Sequence, residues 1–139
     1  MSGEKIKDSL TLEDARRVIA AAEAKATELH IPQDIAVVDT GGRLKAHVRM
    51  DGANVGSIYI AINKAYTAIA FQCQTKDLTD ITRQDGDLYG LSDAHGGSLC
   101  VFPGGIPLVR DGHIVGAIGV STGTVQEDQA VSEAGAAAF

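Results

Sequence analysis

FPGGIPLVRDGHIVGAIGVSTG, residues 102–123, sets two apolar segments on either side of an Asp-Gly pair and crowds glycines at both ends. Asp111-Gly112 is a strong hairpin signal, because both central residues of a type I′ turn need positive φ, which Asp and Gly tolerate best. A two-residue loop fixes the register: Arg110 should face His113, Val109 Ile114, Leu108 Val115 and Pro107 Gly116. Strict alternation then puts Ile106, Leu108, Val115 and Ala117 on one side and Val109, Ile114, Ile118 and Val120 on the other. With both faces apolar, the hairpin is expected to be central and covered above and below. At its entry Pro107 lacks a donor, and Gly104-Gly105 lets the backbone approach another group closely. Two readings fit this entry: a bend at the lip of a pocket, or a bulge that re-aims an edge strand.

Working outward, Thr11 with Asp14 reads as a helix start. Leu12, Ala15, Val18, Ile19, Ala22, Ala26 and Leu29 then recur at helical spacing until Pro32, giving an amphipathic helix of about 18 residues. Ile35 to Asp39 and Leu44 to Arg49 flank Thr40-Gly41-Gly42-Arg43 and read as a first hairpin, whose second strand puts Lys45, His47, Arg49 and Asp51 on one face. From Val55 to Gln72 the chain is apolar nearly all round, interrupted only at Ser57, Asn63, Lys64 and Thr67. A helix without a wet face is buried inside a protein or between subunits, so self-association into a homo-oligomer is expected. Lys64 must then find a partner or snorkel to water. A short helix from Lys76 to Gln84, a third strand from Ser98 to Phe102, and a helix opened by Thr124 and Glu127 complete the chain. The expected fold is α+β, a single domain over residues 1–139 with a frayed lead-in at 1–9. Its five-stranded sheet is mainly antiparallel, with helices on both faces.

A chain of 139 residues suits one domain. A net charge of −6 with no Lys/Arg cluster argues against nucleic acid as a partner. No apolar run approaches the roughly 20 residues that span a bilayer, so no membrane partner is expected. The opening MSGEKIKDSLT mixes charges without an apolar core, and the expected location is cytoplasmic. Cys73 and Cys100 lack C-x-x-C spacing and read as reduced thiols. His30, His47, His95 and His113 are scattered, so no metal site is expected in the protein itself.

Gly119-Val120-Ser121-Thr122-Gly123 matches G-x-S-x-G, but every histidine precedes Ser121, whereas that triad places its histidine later. The plainer reading is that Gly123 eases a turn and Thr124 caps a helix. His30 at a helix end and His113 after a tight turn have structural explanations. His95, in the loop Asp93-Ala94-His95-Gly96-Gly97, sits where side chains often serve function. Arg49 and Asp51 can be read as a pair tying a loop. Alternatively Arg49, His47 and Lys64 surround one cavity as cationic donors able to grip a carboxylate.

VVDTGGRLKAHVRMDGA, AINKAYTAIAF and FPGGIPLVRDGHIVGAIGVSTGTVQEDQAVSEAG together resemble the GlcG/HbpS family, often labelled haem-degrading and found also as the C-terminal domain of PduO-type corrinoid adenosyltransferases. The resemblance runs from Ile35 to Gly135. It implies a profilin-like, three-layer α/β/α fold, homo-oligomers and, in several members, haem as cofactor. It also implies an axial ligand on or near the first helix, where Thr11 to Leu29 contain no histidine. Two readings stay open: the pocket is retained for a different ligand, or haem is held with His95 or His47 as its axial ligand.

The leading functional reading is a small oligomeric haem- or tetrapyrrole-binding protein. Its ligand-binding residues would be His47, Arg49, Asp51, Lys64, His95, Gly104, Gly105 and Pro107. The alternative is a cofactor-independent lyase or isomerase acting on a small organic acid, aromatic acids included. In that reading His95 is the acid/base, Lys64 is tuned by burial and Arg49 anchors the carboxylate. A third reading is an assembly partner for another enzyme.

Overall fold

The computed structural model describes residues 9–139; apart from Ser9, the lead-in expected at 1–9 lies outside the described residues. Helix α1 (Leu12–Glu28) opens on the capping box read from the sequence. Thr11 Oγ1 accepts from the Asp14 N–H at 3.0 Å, and Asp14 Oδ2 accepts from the Thr11 N–H at 3.0 Å. Asp14 also binds Arg17 and Arg110, each at 2.9 Å, and the Arg110 guanidinium beside it holds its carboxyl well below the usual carboxylate range. A second capping box, Thr124 with Glu127, opens the last helix, here α4 (Val125–Ala137).

Strands β1 (Asp34–Asp39), β2 (Leu44–Arg49), β3 (Gly105–Arg110) and β4 (His113–Ser121) form one antiparallel sheet in the order β2-β1-β4-β3. Helices α1 and α4 cover one face. There Val18, Ile19, Ile35, Val37, Ile106, Leu108, Ile118, Val120 and Val131 make the main core. Helix α2 (Ser57–Phe71) covers the other, packing Ala65, Ala68 and Ile69 against Val38 and Ala117. Its partners in the sheet are β4, β1 and β3. The fit is close because β4 presents Gly119 to it: a Cβ there would fall on the Ala61 carbonyl oxygen and 2.6 Å from the Ala65 nitrogen.

The Asp-Gly turn is as expected, with φ of 51° at Asp111 and 77° at Gly112, and Arg110 and Val109 face His113 and Ile114. Beyond them the register differs from the two-residue-loop expectation. Leu108 faces Gly116 and Pro107 faces Ala117, because a bulge absorbs Val115. One extra residue reverses the facing of everything after it. Ile118 and Val120 therefore join Ile106 and Leu108 in the main core instead of opposing them. Thr40 Oγ1 donates to the bulged Val115 carbonyl at 3.0 Å, satisfying the group that the ladder leaves out. Pro107 sits on the edge strand β3, where its missing donor is tolerated.

Among the described residues the sheet has four strands, not the expected five. Ser98–Phe102 is irregular, since its backbone finds side chains rather than a neighbouring strand: Thr67 Oγ1 accepts from the Cys100 N–H at 2.9 Å, and Thr79 Oγ1 donates to the Val101 carbonyl at 2.7 Å. The helix expected over Lys76–Gln84 is a single 3-10 turn, Thr75–Leu78, and the next helix is the short α3 (Leu91–Ala94). No described helix is long and apolar enough to cross a membrane.

Gly119→Ala should push α2 off the sheet and cost about 1–3 kcal/mol or more in urea unfolding. Gly56→Ala, with no atom within 4 Å of the added carbon, should cost less than about 1 kcal/mol. Equal costs would contradict the close approach of α2 to β4.

Candidate functional site

Lys64 lies midway along α2 with no exposed surface. It does not snorkel. Its Nζ donates to Asp128 Oδ2 and to the Val120 carbonyl, both at 2.8 Å, and lies 4.9 Å from the centroid of the Phe102 ring. Asp128, in the first turn of α4, also accepts from the Gly123 N–H at 3.0 Å. With its amide nitrogen turned toward them, buried Gln33 donates to Asp128 Oδ1 at 3.0 Å and to the Ser121 carbonyl at 2.6 Å. Burial pushes the Asp128 carboxyl above the usual carboxylate range, against the pull of Lys64, Gly123 and Gln33.

The Gly104-Gly105 entry fits around this pair. A Cβ on Gly104 would lie 2.8 Å from Lys64 Nζ, and one on Gly105 would lie 2.5 Å from the Lys64 carbonyl oxygen. These glycines face inward onto α2, while Pro103 lines an open groove of about 280 Å³ with Val125, Gln129 and Ala130 of α4.

His47 and Arg49 project from β2 on the α2 side of the sheet, opposite Ala36 and Asp34. His47 Nε2 and Asp34 Oδ1 stand 3.4 Å apart, out of hydrogen-bond alignment, and neither atom has another hydrogen-bond partner among the described residues. Asp34 Oδ2 accepts from Thr122 Oγ1 at 3.0 Å, and Thr122 has a φ of 119°, a strained value for a β-branched residue. Burial lowers the His47 pKa, the Asp34 charge opposing this and the Arg49 charge adding to it. Arg49 Nη1 donates to the Ala53 carbonyl at 3.4 Å, and Asp51 is exposed in the following turn. The three cations expected around one cavity thus have separate partners. The carboxylate that Lys64 grips belongs to the protein itself.

His95, just past α3, is exposed and brings together residues that sequence reasoning did not single out. Its Nε2 is 3.1 Å from Tyr66 Oη and its Nδ1 is 3.1 Å from Ser98 Oγ. The Tyr66 and Phe71 rings of α2 stand 5.5 and 6.4 Å from the imidazole, centroid to centroid. Tyr66 is set by Gly42, whose φ of 76° belongs to the β1–β2 turn; a Cβ there would lie 2.8 Å from the Tyr66 ring. Beside it, Thr40, Gly41, Gly42, Tyr66, Ile69 and Ala70 line a hollow of about 180 Å³, and a second of about 360 Å³ continues past Ile69 to His113. Spacing offered one clue to Tyr66: it lies one helical turn from Asn63 and Ala70 on the helix already flagged as apolar all round. Nothing in the sequence pairs it with His95.

The cysteines are free thiols. Burial pushes Cys100 up to about 11, and Cys73 is raised by burial and by Asp77, so neither is a ready thiolate.

The family model described as "Haem degrading protein HbpS-like" matches residues 10–137. A Citrobacter freundii protein described as an uncharacterized 15.0 kDa protein in the dhaT-dhaS intergenic region is 40% identical over 125 residues, covering 90% of this chain and 88% of that one. The crystal structure of Klebsiella pneumoniae protein ORFY is similar with a TM-score of 0.92 at 34% identity, covering 100% of this chain and 96% of that one. A crystal structure of a PduOC:heme complex is similar with a TM-score of 0.90 at 33% identity, covering 94% of each chain.

Lys64→Met or Asp128→Leu alone strands a buried charge and should cost about 3–5 kcal/mol in urea unfolding, with the double substitution recovering part of the loss. Single costs below about 1 kcal/mol would contradict the pairing. His47 is held below its ordinary value of 6.5, so the unfolded chain binds the extra proton first on acidification. Stability should therefore fall as pH drops below about 6.5, by at most about 1.4 kcal/mol per pH unit from this group. Thermal midpoints of the native protein and His47→Gln from pH 7.5 to 5 check this; an equally steep loss in both would contradict it.

Proposed function

The chain belongs to the HbpS-like family, and on that premise we propose that it binds haem or a related tetrapyrrole, with His95 as the residue that meets the metal. The likeness to the PduOC:heme complex, at a TM-score of 0.90, carries this reading. The chain's own residues fit the group. His95 is exposed, its Nε2 is met by the Tyr66 hydroxyl, and two aromatic rings flank it. His47 is the poorer candidate, because its Nε2 is turned inward to Asp34. Haem held at His95 would supply a redox-active iron with an imidazole ligand.

Hollows of about 180 and 360 Å³ sit at or below the low end of ligand pockets. A flat macrocycle would gain cover from a second copy of the chain. The outer stripe of α2 suits that copy, with Tyr59 74% exposed, Ile62 and Tyr66 half-buried along the same line, and Val55, just before the helix, 70% exposed.

A second reading, acid–base catalysis on a small organic acid, is favoured by one arrangement: buried Asp34 facing half-buried His47 beside strained Thr122, with Arg49 on the same face. Lys64 is not available to it, since internal partners hold its ammonium.

Hemin titration separates the two. The expected result is a saturable Soret shift that His95→Ala abolishes and His47→Ala leaves in place, on a protein that sediments as an oligomer and dissociates with Tyr59→Glu. No shift would overturn the first reading and favour the second; a shift indifferent to His95→Ala would overturn His95 as the residue that meets the metal.

A further inference from the structure

We infer that Tyr66 is a latch on His95, competing with a metal for the imidazole nitrogen that ligation requires; this rests on the haem reading of the same residue. A neutral imidazole has one nitrogen that donates and one that accepts. Ser98 Oγ lies 3.1 Å from Nδ1 and can accept from an Nδ1–H, which leaves the lone pair on Nε2. Tyr66 Oη, 3.1 Å from that nitrogen, then donates its proton to the same lone pair. With Ser98 accepting, the imidazole is in the tautomer a metal needs, and Tyr66 occupies its coordinating atom.

The two partners are built differently. Tyr66 is on a rigid helix, its ring fixed above Gly42 by a contact that no Cβ would permit. His95 and Ser98 bracket Gly96 and Gly97, at φ of 83° and 85° with no atom within 4 Å of either missing Cβ. Opening therefore falls to the glycine-bearing loop, which can carry His95 and Ser98 away together and keep the tautomer. Phe71, in edge contact with the imidazole, remains as an apolar neighbour.

Tyr66→Phe tests the latch, since it keeps the ring over Gly42 and deletes only the hydroxyl. Removing one exposed neutral hydrogen bond should tighten hemin binding about threefold to tenfold. In a His95→Ala background the same substitution should change nothing. Independently of haem, carbethoxylation of His95 by diethyl pyrocarbonate, followed on its own peptide by mass spectrometry, should be several-fold faster in Tyr66→Phe. Unchanged or weaker hemin binding by Tyr66→Phe, in a protein whose binding still depends on His95, would overturn the latch and leave the haem reading intact. Faster carbethoxylation with no hemin binding in either protein would overturn the haem reading and, with it, the latch as a control on ligation; hemin binding that does not depend on His95 would overturn His95 as the ligand and the latch with it. An unchanged carbethoxylation rate would overturn the latch outright.

Discussion

An ammonium with no exposed surface, held 2.8 Å from the Asp128 carboxylate, ties α2 to α4 past the end of the sheet where β3 begins and β4 finishes. Both charges give up water for this, so the pair is sustained only because every neighbouring group serves it. Val120 supplies a carbonyl, Gly123 an N–H, Gln33 an amide and Phe102 a ring face. Gly104 and Gly105 follow from the same constraint, because side chains there would collide with Lys64. The Phe102–Pro107 segment is shaped by what lies beneath it. With α2 pinned in this way, Tyr66 and Phe71 stand at fixed points farther along the same helix, and the His95 loop closes onto them.

Local signals in the sequence were legible where the physics is local. Both capping boxes, the positive-φ Asp-Gly turn and the three long helices follow from neighbours a few residues apart. What was not legible depends on partners far along the chain. Val115 bulges with its carbonyl taken by Thr40, 75 residues away, so alternation counted from the turn put Ile118 and Val120 on the wrong face. Ser98–Phe102 has the composition of a strand, but a threonine of α2 and another just past the 3-10 turn meet its backbone first.

The candidate site divides in the same way. Lys64 was conspicuous as a charge in an apolar helix, and the need for a partner was readable; that the partner is Asp128 was not, since an acid in the first turn of a helix also suits the dipole. His95 stood out through its glycine-flanked loop, while Tyr66 looked like one more apolar residue of α2. His47 shared a strand face with Arg49 as expected, yet the group that defines it is Asp34 on the neighbouring strand, and only the β1–β2 register brings them together.

Two histidines thus sit in opposite settings: His47 turned toward a buried carboxylate, His95 exposed and held by two hydroxyls. Metal binding at His95 requires that one of those hydroxyls yield. A crystal structure of the hemin-loaded protein tests this most directly. The expected result is iron coordinated by His95 Nε2, with Ser98 still on Nδ1 and the Tyr66 hydroxyl no longer bonded to the ring. Iron coordinated by His47 or Tyr66, or haem bound with the Tyr66–His95 contact intact, would contradict it.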